Sequence, residues 1–383
     1  MNNDENLNIL LFLGAGASAC AGYSTFESFP DLVFSGNLRK EESLPPVHEA
    51  TLKILSEIKL NLEMNQVPAT HDNFLWRLND YKRLWEIMRT DDVLRSRFLA
   101  DTKLWGEFSF FSQVNEDAIT DITHTTIKHY SSYRIEDLRK KSEKMEMIGR
   151  IIHFYQHLAL CNSSQGPFLP VFTTNYDVFL EDLFQSFSEE IRLRLINGIQ
   201  NCCQENTAWS QTQYSNSACG QENTIEYYRL HGCVCWFYHG LGDENIYFHR
   251  KDTSQVKIDN LYAVYPGREA FRGINPHAYG FSRFYKMLHQ CRVAVFVGFS
   301  FRDDDIKHIL LNANVNRVKP INLLVVDPAF SEHDIYGNLR ETCKGTQFPT
   351  RLPSLDEIKC LTRYFADEGF NEAFFDILDN MMR

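Results

Sequence analysis

Short strand-like runs punctuate this chain at residues 8–13, 168–173, 225–230, 293–297 and 321–326. Val293-Ala294-Val295-Phe296-Val297 and Ile321-Asn322-Leu323-Leu324-Val325-Val326 carry apolar residues on both sides of the pleat, as parallel strands covered on both faces require. A helical pattern over Phe281–Leu288 stands directly before one of them, which is α/β alternation. From about Pro45 to Gly149 the periodicity becomes helical and strongly charged, with Leu55, Ile58 and Leu62, then Phe74-Leu75-Trp76-Arg77-Leu78, then Ile119, Ile122 and Ile127. A further helical stretch, 148–160, leads back to the strands. Residues 22–36, rich in Phe, Pro and Gly, and the polar segment 204–224 read as loops. Ser354 and Glu357 form a capping box that predicts an amphipathic helix in the tail. No repeat or low-complexity tract interrupts this order.

The pattern predicts a Rossmann-like, doubly wound parallel α/β sheet. Its core spans 8–40 and 165–345, with a helical insertion over 41–164 and a C-terminal helical tail over 346–383. The 383 residues can bury one large core or two smaller ones. A net charge of -11 argues against direct nucleic-acid binding by the isolated chain, because phosphate neutralisation needs a basic surface. No run of about 18 uncharged apolar residues predicts a membrane span. The acidic, polar start Met1–Asn6 is unlike a secretory leader, and the ten scattered cysteines read as reduced thiols, so a cytoplasmic setting is expected.

Chemistry concentrates where apolar runs end. Leu11-Phe12-Leu13-Gly14-Ala15-Gly16-Ala17-Ser18-Ala19 reads as a strand breaking into a glycine turn and a helix start, the way a backbone meets a phosphate. Gly14 permits the turn, Gly16 admits a pyrophosphate, and Ala19 fills the small slot needed for helix–strand contact. A dehydrogenase would then place an acid about twenty residues on, at the end of a second strand. Residues 33–37, Val-Phe-Ser-Gly-Asn, supply neither strand nor acid, so hydride transfer is disfavoured. Three later strand ends carry polar groups instead: Thr173-Thr174-Asn175-Tyr176-Asp177, Leu230-His231-Gly232, and Gly298-Phe299-Ser300-Phe301-Arg302-Asp303-Asp304-Asp305. Read locally, Asn175 and Asp177 also suit a turn and helix cap, and His231 a satisfied polar residue. Asp303 and Asp304 suit a solvated helix N-terminus. His231, Cys233 and Cys235 alternate, but no fourth ligand is evident; buried thiols fit better, and no metal is expected.

In this order, GAGxS with Ala21-Gly22, TTNYD, LHG and GFSFRDxDI, the motifs resemble the sirtuin superfamily, in particular its bacterial SIR2-like branch. The resemblance covers roughly residues 8–30 and 165–330. Deacylating sirtuins usually carry a zinc on two CxxC pairs, and this chain has no CxxC. Where deacylases read roughly GIPDFR, it reads Gly22-Tyr23-Ser24-Thr25-Phe26-Glu27, keeping Phe26 but losing the flanking Asp and Arg. The resemblance therefore implies hydrolysis of NAD+ to nicotinamide and ADP-ribose, with NAD+ as substrate. It makes His231 the proton acceptor and Asn175 the residue that orients water and the nicotinamide ribose. Gly14, Gly16, Ser18 and Ala21 would cradle phosphates, Phe26 would shield the nicotinamide, and Ser300 and Asp327 would meet the adenosine. Ala15, Thr174, Asp177 and Gly298 complete the implied NAD-binding set. His71-Asp72-Asn73-Phe74 resembles a short element of SIR2-like insertions and is read as structural.

Such proteins typically deplete NAD+ in abortive anti-phage defence. With no TIR, Argonaute, nuclease or GxxxxGK[ST] motif in the chain, control is expected from self-assembly into a homo-oligomer or from a separately encoded partner. A HerA-like ATPase or a short Argonaute is the partner the resemblance suggests. A deacylase or ADP-ribosyltransferase, and a non-catalytic nucleotide-binding scaffold, are the rival readings; a nuclease is weaker, since no metal-chelating carboxylate set stands out.

Overall fold

The computed structural model describes residues 7–21, 142–162, 168–199, 207–217, 223–238, 246–248, 261–263, 275–315, 317–345 and 350–383, with a few helical positions between 56 and 77. Its centre is a seven-stranded sheet in which every pairing is parallel. The strands are β1 (Ile9–Leu13), β2 (Phe168–Thr173), β3 (Arg194–Ile196), β5 (Thr224–Arg229), β9 (Val293–Val297), β10 (Asn322–Val326) and β11 (Ile358–Leu361). Their spatial order is β11-β10-β9-β1-β2-β5-β3. The chain therefore fills one side of β1 with β2, β3 and β5, β5 entering between the other two, and then crosses back to build from β9 to the other edge. The reversal falls between β1 and β9, the switch point at which open α/β sheets bind ligands. A smaller antiparallel sheet, ordered β4-β7-β6-β8, holds β4 (Thr207–Ala208), β6 (Gly232–Tyr238), β7 (Ile246–Phe248) and β8 (Leu261–Ala263).

The period of two in the strands sorts their side chains into two cores. Ile9, Leu11, Leu13, Leu169, Val171, Val293, Val295 and Val297 face one layer of helices, and Leu10, Phe12, Phe172, Ala294 and Phe296 face the other. The first layer is built on α2 (Ser142–Asn162), α3 (Phe179–Ser186) and α9 (Phe370–Met382), which present Phe154, Leu183 and Phe374 among others. The second is built on α6 (His277–Gln290), α7 (Asp304–Val315) and α8 (Glu332–Gly345), with Phe284, Leu310 and Leu339 turned inward. Helices on both faces explain why β1 is buried along its whole length. Phe12 shows how tightly the second layer closes, its ring centroid lying 5.4, 5.2 and 4.8 Å from those of Phe284, Phe296 and Phe299.

The Rossmann-like α/β sheet expected from the apolar runs is thus the fold. Two local expectations are corrected. The Ser354–Glu357 capping box is formed, but it closes a single 3-10 turn (Leu355–Glu357) and leads into β11 rather than a helix. The chain extends there because β10 offers an unpaired edge to Ile358–Leu361; the amphipathic helix is α9, further on. Within 204–224, the described part contains β4 and the short helix α5 (Thr212–Ser217) rather than loop alone. Most of the predicted helical insertion lies outside the described residues. Among those described, no helix is long and apolar enough to cross a membrane.

Candidate active site

Because the central strands are parallel, the segments after β1, β2, β5, β9 and β10 emerge along one edge of the sheet. The turns after β1 and β9 interlock there. Gly14 N–H donates to Val297 O at 2.9 Å, Gly16 N–H to Gly298 O at 3.0 Å, and Gly298 N–H to Val326 O at 2.9 Å. A Cβ on Gly14 would lie 2.3 Å from Gly298 O, and one on Gly16 2.8 Å from Gly298 Cα. Gly298 itself has φ +60°, and its own Cβ would lie 2.5 Å from Ala17 N. The glycines assigned from sequence to a phosphate are thus required first by the approach of two backbone turns. The following helix, α1 (Gly16–Ala19), is a single turn.

The loop after β2 fastens to the β1 turn through three side chains. Thr173 Oγ1 donates to Leu13 O at 2.8 Å and accepts from Asn175 N–H at 3.0 Å. Asn175 Nδ2 donates to Gly14 O at 2.8 Å, which leaves Oδ1 as the amide's acceptor. Ser18 Oγ donates to Asp177 Oδ2 at 2.7 Å, and Asp177 Oδ1 accepts from Phe179 N–H at 3.0 Å. Burial pushes the Asp177 carboxyl above its ordinary range, against the pull of the Phe179 amide, the Ser18 hydroxyl and the charge of Arg229. Gly14, Ser18, Asn175 and Asp177, predicted from two motifs 160 residues apart, form one hydrogen-bonded unit.

Arg229, the last residue of β5, holds that unit in place. Its Nη1 donates to Asn175 O at 3.0 Å and its Nη2 to Asp177 O at 2.6 Å. Nε and Nη2 also grip the Glu181 carboxylate at 2.9 and 2.6 Å, with both side chains fully buried. The Glu181 charge holds the guanidinium well above its usual range despite the desolvation that opposes it. Two residues beyond Arg229 comes His231, followed by Gly232 at φ +77°. The His231 ring centroid lies 6.3 Å from that of Tyr176. His231 Nε2 is buried and sits 3.2 Å from Asp303 Oδ2, within ion-pair reach but without the alignment of a linear hydrogen bond.

Asp303 is therefore more than part of a solvated helix start. Its Oδ1 accepts from Asp305 and Ile306 N–H at 3.0 and 3.3 Å and caps α7, while Oδ2 faces the imidazole. Asp304 is the solvated one, pairing with Lys307 at 2.7 Å. Of the remaining predicted residues, Ala21 is buried, Ala15, Thr174 and Gly298 are half-buried, and Ser300 is exposed. Asp327, at the end of β10, is half-buried, and its Oδ1 accepts from Ala329 N–H at 2.8 Å. Phe26 and residues 71–74 lie outside the described residues. Cys233 and Cys235 are buried, and among the described residues no group of His, Cys, Asp or Glu is placed to hold a metal ion.

Sequence reasoning missed the buried Arg229–Glu181 pair and the approach of Asp303 to His231. The available signal was Arg229 itself, a charge at the end of a strand that should be dry on both faces. Such a charge requires a buried partner.

Taken together, the sheet, its switch point and the polar loops around it define a doubly wound α/β domain with a candidate site at the β1/β9 edge. Residues 170–335 match the SIR2-like domain family. That span takes in the 173–177 loop, Arg229, His231 and the 298–303 loop. The likeness to the sirtuin superfamily thus stands on a family match as well as on the motifs. Among solved structures, the chain is similar to a triple mutant of a Sir2 homologue in complex with 2'-O-acetyl ADP ribose, at 11% identity and a TM-score of 0.37 over 99% of this chain and 95% of that one. A score that low carries no argument, and the fold class rests on the parallel sheet. No curated protein matches the chain.

Proposed function

We propose that this protein hydrolyses NAD+ at the nicotinamide–ribose bond, releasing nicotinamide and ADP-ribose. The observation that carries the proposal is the hydrogen bond from Asn175 Nδ2 to Gly14 O, 2.8 Å long, with the same loop gripped by Arg229, two residues before His231. The bond joins the glycine turn after β1 to the amide of the 173–177 loop, and that loop, Arg229 and His231 lie within the span that matches the SIR2-like domain family.

Cleavage of this bond leaves an oxocarbenium-like ribose, as glycoside hydrolysis does, and nicotinamide departs as a neutral molecule that needs no acid. The electrons of the C1'–N bond leave with the nicotinamide, whose ring nitrogen loses its positive charge. Water supplies the new C1'–O bond, and His231 accepts the proton that water gives up. Asn175 Oδ1 accepts a hydrogen bond from that water or from a ribose hydroxyl, and as a neutral amide it adds no charge beside the cation. Asp177 acts from behind, by fixing Ser18 and the start of α3.

The proposal extends to biological setting. An enzyme that consumes its own cell's NAD+ needs restraint, and the resemblance supports anti-phage defence controlled by self-assembly or by a HerA-like or short-Argonaute partner.

The test is NAD+ incubated with the purified protein, alone and with the product of the neighbouring gene, followed by chromatography for nicotinamide and ADP-ribose. Turnover that disappears in His231→Ala and Asn175→Ala is the expected result. Binding of ADP-ribose without turnover, with the partner present, would overturn hydrolysis and leave a scaffold. Turnover only of an acetyl-lysine peptide would make it a deacylase. A constitutively active monomer by light scattering would remove the case for restraint.

A further inference from the structure

We infer that Asp303 is a positioning residue that fixes the proton of His231 on Nε2 and leaves Nδ1 to accept the proton from water. The inference rests on His231 being the base of the proposed hydrolysis. Asp303 Oδ2 lies 3.2 Å from His231 Nε2, and the two side chains are only 19% and 14% exposed. Nε2 is buried, so the Asp303 carboxylate beside it is poorly screened by water. The carboxylate cannot easily turn away, because its other oxygen holds two main-chain N–H groups of the first turn of α7. Backbone geometry thus holds one carboxylate oxygen within ion-pair reach of one ring nitrogen.

A neutral imidazole carries a single proton, and the group beside each nitrogen decides where it sits. A carboxylate oxygen next to Nε2 favours the proton there, so the lone pair remains on Nδ1. When Nδ1 takes a proton from the attacking water, the ring becomes cationic, and the same carboxylate, partly shielded from solvent, stabilises it. A cap alone would use Oδ1 and would be served equally by Ser or Asn at this position. The approach of Oδ2 to the ring is the feature a capping role leaves unexplained.

That difference designs the experiment. Asp303→Asn and Asp303→Ser both keep a helix-capping oxygen and remove the charge, and Ser is also too short to reach the ring. Each full-length variant is compared with wild type in thermal melting, in kcat and KM for NAD+, and in the imidazole 15N–1H spectrum, with His231→Gln assigning the signal. We expect melting within a few degrees of wild type. We expect kcat to fall about tenfold or more with KM little changed. We expect the His231 signals to move from the Nε2–H form toward a mixture of tautomers in Asp303→Ser. Unchanged kcat together with an unchanged tautomer would overturn the inference. If the wild-type protein shows no hydrolysis under any condition, the functional reading fails, and the imidazole spectrum still decides the role of Asp303 by itself.

Discussion

Arg229 and Glu181 meet through two hydrogen bonds, 2.9 and 2.6 Å long, with neither side chain reaching solvent. The pair sits beneath the candidate site rather than in it, and the guanidinium's remaining reach goes to the carbonyls of Asn175 and Asp177. Removing one partner strands a buried charge, so Glu181→Ala is expected to lower unfolding free energy by about 3–5 kcal/mol in urea titrations. An Arg229→Met, Glu181→Leu double variant removes both charges and should recover much of that loss. Turnover should not recover with it, because the loop carrying Asn175 has lost its two donors. Full activity in a restabilised double variant would show that Arg229 serves stability alone.

Gly14 and Gly298 make a second, purely steric prediction. A Cβ on Gly14 falls 2.3 Å from Gly298 O, and main chain cannot yield there without parting β1 from β9. Gly14→Ala is expected to cost about 1–3 kcal/mol, the usual range for overpacking a close contact. It should also weaken ADP-ribose binding measured by calorimetry, since the same shift moves the carbonyl that holds Asn175. An alanine variant with unchanged stability would mean the two turns do not approach as closely as the geometry states.

The central sheet was legible because its strands are buried on both faces. That burial forces runs such as Val293–Val297, which periodicity detects without context. The places where polar groups gather were legible because the Gly14, Asn175, His231 and Gly298 turns each follow a strand-like run. What was not legible depends on contacts across the chain. β11 alternates weakly, with Lys359 exposed between buried Ile358 and half-buried Cys360, and it is a strand because β10 stands beside it. Three-residue strands such as β3 are too short to show a period. Asp303 read as a cap because a cap is visible in local spacing, whereas its distance to His231, 72 residues earlier, is not.

The tail offers a third prediction for the same reason. Phe374 packs its ring 5.0 Å from Phe154 on α2 and lies wholly buried, with Phe365 and Phe370 around the same ring. The C-terminal segment is thus part of the core and not an appendage. Phe374→Ala is expected to destabilise by about 3–5 kcal/mol, read from the urea midpoint at constant slope. Truncation after residue 349 removes β11 as well, bares the β10 edge and should abolish cooperative unfolding. A truncated chain that melts sharply would place the tail outside the folding unit.

The last prediction concerns pH and follows from Asp177. Burial holds its carboxyl above the ordinary value of 3.8, so the folded state favours the protonated form more than the unfolded chain does. Below 3.8 the group is protonated in both states and burial of a charge costs nothing. As pH rises through the folded-state value, the fold must either carry a desolvated carboxylate or release it, and stability falls. Asp177→Asn keeps the shape, the acceptor for Phe179 N–H and a partner for Ser18 while removing the ionisation. Its melting temperature relative to wild type should therefore climb as pH rises above the ordinary carboxyl value and level off once the folded-state carboxyl has ionised, with little difference at the acid end. Melts across that range decide the point. An Asn variant whose disadvantage grows with pH would mean that Ser18, the Phe179 amide and Arg229 together outweigh burial and hold Asp177 below its ordinary value.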